Sequence, residues 1–517
     1  MSTLVVPKLA WSPQQEAIFA FVQNGAGSAT VVAVAGSGKT STIVEAAHRL
    51  PMETDSLFIA FNRRIADELK KRLPSSVSAM TLNALGSRAW AKFTGRTLAP
   101  DAYKLSNIIR DRTPNRNKDF MSATKKLVSM AQNAGIVPET RQVGEDAKGL
   151  VGDYDTNWLG LMDRYEIEWV DSKELIRFAR EVLSISIRLA LVEDAAQAKF
   201  DFNDQIYMPL IFNAPFRKYD LVFVDEAQDI NEMQKAIIRR SLAPDGRLIA
   251  VGDPRQAIYG FRGAGTNSIA ELQQEFAAIE LPLTVSYRCP RKVVERARMY
   301  VSHIEPAPNA PDGSVTQLGV NWDDSTFRPG DVILCRNNAP LIARAFALIR
   351  ARVSNKVIGR DIGAGILALL TRIQKRVEKS NWAESASVQA IKDELSVWSS
   401  NEIGKLYAQR KPDEADRLSD RVQTLRVFLN EEPRTLAELR RDIEGMFQDG
   451  EGSAQDKVIL STVHKAKGGE WDRVFILNQN LFFPSWAMKL DTQREQETNL
   501  VYVATTRARR ELYYIDE

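Results

Sequence analysis

Cysteine and histidine are scarce in this chain. Its 517 residues hold two cysteines, Cys289 and Cys335, and three histidines, His48, His303 and His464. That nearly excludes a Cys/His zinc site or an iron–sulfur cluster, and it makes a disulfide framework implausible. No apolar run approaches the roughly 18 residues that a membrane helix needs. The start, Met1-Ser-Thr-Leu-Val-Val-Pro-Lys8, lacks the basic segment and apolar core of a secretory signal. A cytoplasmic protein is expected, nucleoid-associated or, if phage-encoded, in the host cytoplasm. Charge of one sign is also lacking: 69 Lys and Arg stand against 66 Asp and Glu. A nucleic-acid footprint must therefore be local. What is present is ordinary for a globular protein, 44% apolar and 26% charged. The length suits roughly three to four domains.

Continuous apolar, β-branched runs at Ala29–Val34, Ser56–Phe61, Asp220–Val224, Arg247–Val251, Asp331–Leu334, Val458–Ser461 and Arg473–Leu477 read as buried parallel strands. Helical patterns lie between many of them, which predicts an α/β architecture. Two stretches break the alternation and read as helical insertions, about 99–199 and 361–452. The second returns through the Gly- and Asp-rich segment Asp449–Asp456.

The first strand runs directly into Ala35-Gly36-Ser37-Gly38-Lys39-Thr40, which opens a helix around Ser41–Arg49. A small glycine-rich turn lets backbone N–H groups approach phosphate oxygens, and the helix N-terminus adds partial positive charge. Lys39 is placed for the β- and γ-phosphates and the Thr40 hydroxyl for Mg²⁺. The full phosphate-loop pattern wants glycine six residues before the lysine, where this chain has Ala33. A second apolar run, Leu221–Val224, ends in Asp225-Glu226-Ala227-Gln228-Asp229. There Asp225 suits Mg²⁺, and Glu226 suits orienting and deprotonating a water.

These residues resemble the superfamily 1A helicases of the UvrD/Rep type. Asp225–Asp229 resembles their acidic box, and other segments follow in order along nearly the whole chain. Ser12–Gln15 resembles the glutamine motif, with Gln14 one register away. Ala60–Arg63 resembles motif Ia, Gly252–Ala264 motif III, Ser286–Arg288 motif IV, Thr462–Trp471 motif V and Tyr502–Ala508 motif VI. The Ala-Phe-Asn wording at 60–62 resembles the F-box helicase branch without an F-box, or a related phage branch.

The resemblance implies two RecA-like domains that hold ATP and Mg²⁺, each carrying a mainly helical insertion. The first is expected at 1–98 and 200–280 with insertion 99–199, the second at 281–360 and 453–517 with insertion 361–452. It implies that Gln15 reads adenine, Tyr287 stacks on the ring, Glu470 holds the ribose and Gln256 senses the γ-phosphate. It implies that Arg288 and Arg507 reach the γ-phosphate from the second domain. Phe61 and Phe261 are the expected base-stacking residues, with ordinary core packing as the alternative. Asn62, Arg262 and His464 are the expected polar DNA contacts. Asn83 stands where the family pattern has histidine. From Lys104 to Arg141 there are eight basic and three acidic residues; that stretch suits DNA or, equally, a solvated helix face.

The function so implied is an ATP-dependent DNA helicase that moves 3′ to 5′ on single-stranded DNA and opens duplexes at single-strand/duplex junctions. Replication or recombination proteins are the expected partners, and no membrane is. The alternatives are an ATP-driven translocase that strips proteins from DNA with little unwinding, and a non-catalytic ATP-binding scaffold. No residue tests for a 2′-hydroxyl, so an RNA track stays open. The chain's end, ten residues after Arg507, leaves no room for a C-terminal nuclease domain in this expectation.

Overall fold

A computed structural model describes residues 11–113, 118–138, 149–165, 167, 169, 171–258, 267–380, 387–408, 412–431, 435–447, 456–485, 487, 488 and 491–517. The chain divides into two units. The first holds the chain up to Val34 together with Gly38–Leu283; the second holds Ala35–Ser37 and Thr284–Glu517.

The sheet of the first unit contains β1 (Ala29–Ala33), β2 (Ser56–Ala60), β3 (Val77–Thr81), β4 (Tyr219–Val224), β5 (Leu242–Gly252) and β6 (Ile279–Leu283). Its order is β3-β2-β4-β5-β1-β6, and every pairing is parallel. Side chains alternate between the two faces, as the pleat requires. Leu57, Ile59, Val222, Val224, Leu248 and Ala250 pack toward one core. Phe58, Ala60, Leu221, Phe223, Ile249 and Val251 pack toward another. Burial on both faces is why these strands read as unbroken apolar runs. The first core continues into the helices Lys104–Arg112, Lys118–Asn133, Asp155–Arg164 and Ser172–Leu191, with Trp90, Phe120, Trp158 and Phe200 among its largest buried side chains.

The sheet of the second unit contains β7 (Ser314–Gly319), β8 (Val332–Cys335), β9 (Asn355–Val357), β10 (Val458–Thr462), β11 (Trp471–Leu477) and β12 (Ala508–Ile515). Its order is β7-β12-β11-β8-β10-β9, again wholly parallel. Between β9 and β10 lie the helices Arg360–Ser380, Val388–Ala408, Pro412–Asn430 and Leu436–Phe447, packed through Leu370, Trp398, Phe428 and Ile443. The architecture is α/β, with two parallel, RecA-like sheets and helical segments in sequence where the strand pattern lapses.

Candidate nucleotide site and nucleic-acid track

Because the first sheet is parallel, the C-terminal ends of β4, β5 and β1 lie side by side along one edge. Val224 pairs with Ala250, and Val32 with Gly252. The residues that follow these three strands therefore meet at that edge, where open α/β sheets bind ligands. After β1 comes the glycine turn. Gly36 and Gly38 have φ of 73° and 78°, values a side chain would strain. Gly38 precedes the helix Lys39–His48 and offers no side-chain cap, which leaves the first helical N–H groups for an anion. Ser37 is buried, and its hydroxyl has no hydrogen-bond partner among the described residues. An orphaned hydroxyl in such a turn fits a phosphate oxygen.

After β4 comes Asp225. The Thr40 hydroxyl donates to Asp225 Oδ2 at 2.6 Å. Lys39 Nζ stands 3.8 Å from Glu226 Oε2. Burial, with help from the neighbouring Glu226 charge, pushes the Asp225 carboxyl up to about 6. Thr40 and Asp225 are hard oxygen donors held together, a set that fits Mg²⁺ completed by phosphate and water. Among the described residues no group of three His, Cys, Asp or Glu side chains could hold a metal by itself.

After β5 comes Asp253, buried and raised above the ordinary carboxylate range by that burial. Its Oδ2 accepts from Gln256 Nε2 at 2.7 Å. Gln228 joins this group to Glu226, donating from Nε2 to Glu226 Oε2 at 2.5 Å and accepting at Oε1 from the Asp253 N–H at 3.1 Å.

Gln15 sits in the first turn of the helix Pro13–Asn24. Its Oε1 accepts from the Ser12 N–H at 3.0 Å, and its Nε2 donates to Thr42 Oγ1 at 2.9 Å. The amide thus braces the phosphate helix, using one of its two N–H groups and one of its two carbonyl lone pairs in these bonds.

The second unit gathers its own polar group. Arg288 Nε donates to Glu470 Oε2 at 2.5 Å, and Arg288 Nη1 to the Thr506 carbonyl at 3.4 Å. Arg507 is 1% exposed; it donates to the carbonyls of Val503 (2.9 Å) and Gly469 (3.0 Å). Tyr287 is 47% exposed. Its N–H donates to the Gly36 carbonyl at 2.8 Å, and the Ala35 N–H donates to Tyr502 Oη at 2.8 Å.

Of the expected track residues, Phe61 directly follows β2 and is 51% exposed, so it is not core. Asn62 Oδ1 accepts from the Ile65 N–H at 2.9 Å and caps the helix Arg63–Arg72. Asn83 Nδ2 donates to the Phe202 carbonyl and to Gln205 Oε1, both at 2.9 Å. His464 is half-buried in the short helix Val463–Ala466. Phe261 and Arg262 lie outside the described residues.

The family models decide which family this set of strand ends belongs to. The model of the UvrD/REP helicase N-terminal domain matches residues 11–277, and that of the UvrD-like helicase C-terminal domain matches residues 457–515. The chain belongs to the UvrD/REP helicase family. It is 25% identical to the F-box DNA helicase protein 1 of Schizosaccharomyces pombe, over 94% of this chain and 55% of that one. It is 25% identical to the F-box DNA helicase 1 of Gallus gallus, over 93% and 46%. The ATP-dependent DNA helicase UvrD2 of Mycobacterium tuberculosis is also 25% identical, over 96% and 77%. The chain spans about half the length of the two F-box relatives.

Two features of this UvrD/REP chain were not singled out from the sequence. Gln228 was visible inside the acidic box, but a glutamine there carries no chemistry until its partners are known. Phe202, 56% exposed beside Asn83, stands between Asp201 and Asn203 and belongs to no motif, so nothing local marks it. One charge also moves. Lys104, counted in the basic stretch, is 1% exposed and bonded to Asp204 Oδ2 at 2.5 Å, so it is not part of any charged surface. No described helix is long and apolar enough to cross a membrane.

Proposed function

We propose that the chain is an ATP-dependent DNA helicase that translocates 3′ to 5′ on single-stranded DNA and unwinds duplexes at junctions. The observation that carries the reading is the meeting of Thr40 with Asp225 and of Lys39 with Glu226 at adjoining ends of a parallel sheet. The motor is divided as 1–98 and 200–280 with insertion 99–199, and 281–360 and 453–517 with insertion 361–452. Ala35–Lys39 cradle the triphosphate, and Lys39 neutralises its β- and γ-oxygens. Thr40 and Asp225 hold Mg²⁺, which supplies charge neutralisation on the transferring phosphoryl group. Glu226 orients the attacking water and takes its proton. Gln256 senses the γ-phosphate, Arg288 and Arg507 stabilise its charge during transfer, Tyr287 stacks on the base, Gln15 reads it and Glu470 holds the ribose. Phe61 is a stacking platform on the DNA track. Asn62, Asn83, Arg262 and His464 are its polar contacts, and Phe261 is a second stacking residue.

The test is unwinding of matched 3′-tailed and 5′-tailed duplexes with ATP. Opening of the 3′-tailed substrate alone is expected. Opening of the 5′-tailed one alone refutes the polarity, and DNA-stimulated ATP hydrolysis without opening either supports a protein-stripping translocase instead.

A further inference from the structure

Glu226 occupies an unusual backbone position. Its φ of 54° and ψ of 42° place a non-glycine residue in the left-handed region. Such a conformation costs on the order of 1 kcal/mol and persists only where surroundings hold it. The Glu226 N–H donates to Asp225 Oδ1 at 2.9 Å, and the Asp229 N–H donates to the Glu226 carbonyl at 3.0 Å. Gln228 Nε2 donates at 2.5 Å to the Glu226 carboxylate, which also stands 3.8 Å from Lys39 Nζ. Gln228 is 2% exposed, and its amide has only one workable orientation. Turned over, its oxygen would face the Glu226 carboxylate and its nitrogen the Asp253 N–H, setting acceptor on acceptor and donor on donor. The bond to Asp253 therefore locks the donor toward Glu226. Asp253 in turn accepts from Gln256 Nε2 at 2.7 Å. Gly252 is what lets the amide lie so near β5. A Cβ there would come within 2.5 Å of Gln228 Oε1 and 2.8 Å of Ile269 Cδ1.

We propose that Gln228 is a positioning residue for ATP hydrolysis: it fixes the Glu226 carboxylate in its water-orienting rotamer and ties that rotamer, through Asp253, to the side chain of Gln256. This rests on the roles given above to Glu226 and Gln256. A change at Gln256 that pulls on Asp253 shifts the Asp253 N–H, and with it the amide that aims the base. Gln228 touches no reacting atom. Its effect is therefore on turnover and not on nucleotide affinity.

The experiment measures ATPase kcat and KM with single-stranded DNA, and the affinity for a non-hydrolysable ATP analogue. The variants are Gln228→Glu, Gln228→Met, Gly252→Ala, Gln256→Ala and Gln228→Glu/Gln256→Ala in the full chain. Gln228→Glu keeps the acceptor for Asp253 but sets a carboxylate against Glu226. We expect its kcat to fall about 100-fold, the low end of what a general base contributes, with KM and analogue affinity within about threefold. Gln228→Met should match it, and Gly252→Ala should lower kcat about tenfold by displacing an unaltered amide. The double variant should be no slower than the slower single one, because both changes break one chain. Retained analogue affinity shows that a variant is folded. Parent-like kcat in Gln228→Glu, losses in kcat matched by losses in affinity, or additive losses in the double variant overturn this proposal. If the parent hydrolyses no ATP, it is the proposed function that fails, and the two failures are told apart.

Discussion

Replacing Lys104 with methionine separates two roles that a lysine in a basic stretch can have. In the structure its ammonium is buried, bonded to Asp204 Oδ2 at 2.5 Å and to the Ser186 carbonyl at 2.7 Å. Asp204 also accepts from the Asp201 N–H at 2.8 Å and from Gln132 at 3.3 Å. Methionine fills the volume of the stem but leaves a buried carboxylate without its cation. Breaking one side of a buried pair costs about 3–5 kcal/mol. At roughly 2–4 °C per kcal/mol for a unit of this size, the unfolding midpoint of the first unit should fall roughly 6–20 °C. The pH dependence has a definite sign. Burial already pushes the Asp204 carboxyl up to about 7 against the pull of Lys104. Without Lys104 it moves further up, so the folded variant holds a proton that the unfolded chain has released. Stability lost this way is recovered toward pH 5 and grows worse as the pH rises through 7 and beyond. The assay is thermal unfolding of parent, Lys104→Met and Lys104→Met/Asp204→Asn between pH 5 and 8.5, beside single-strand binding at several salt concentrations. The double variant should recover most of the loss, because an amide needs no cation. The salt dependence of binding per folded molecule should not change. A midpoint within 2 °C of the parent, or a shallower salt slope in a stable Lys104→Met protein, refutes the reasoning and returns Lys104 to the surface.

Three further outcomes are expected. Lys39→Ala should lose nucleotide binding, whereas Glu226→Gln should retain nucleotide and DNA binding while turnover falls about 10²- to 10⁴-fold; steady-state ATPase beside analogue titration reads both. Arg507→Ala should cut kcat far more than ATP affinity, because a phosphoryl-stabilising arginine acts mainly in the transition state. Equal losses would mark it as a ground-state ligand. Phe61→Ala should weaken single-strand binding by about 1–3 kcal/mol, the worth of one base stack, and leave the salt slope unchanged because stacking releases no counterions; an altered slope or lost basal ATPase would count against it.

The seven strand runs visible in the sequence are interior strands of the two sheets: β1, β2, β4 and β5 in the first, and β8, β10 and β11 in the second. Burial on both faces forces a continuous apolar run, and that is what a sequence displays. The four edge strands β3, β6, β7 and β9 escaped notice because an edge is under no such demand. Glu280 and Pro282 stand in β6, and Gln317 stands in β7. Strand β12 is interior but carries Arg509, Arg510 and Glu511 near its start, and this hides it.

The residues of the phosphate turn and of the acidic box were legible because their chemistry depends on local spacing: two glycines needing positive φ, a lysine and threonine opening a helix, and acids ending a strand. The ionisation and pairing of single side chains were not legible. Lys104 and Asp204 are 100 positions apart, Asn83 and Phe202 are 119 apart, and Gln228 reaches Asp253 across 25. Composition gives Lys104 a charge and Gln228 only a polarity. Whether that charge faces water or a buried carboxylate, and which acid that amide aims, depends on which strands the sheet places side by side. A parallel sheet joins neighbours through long crossovers, so only the folded chain decides these contacts.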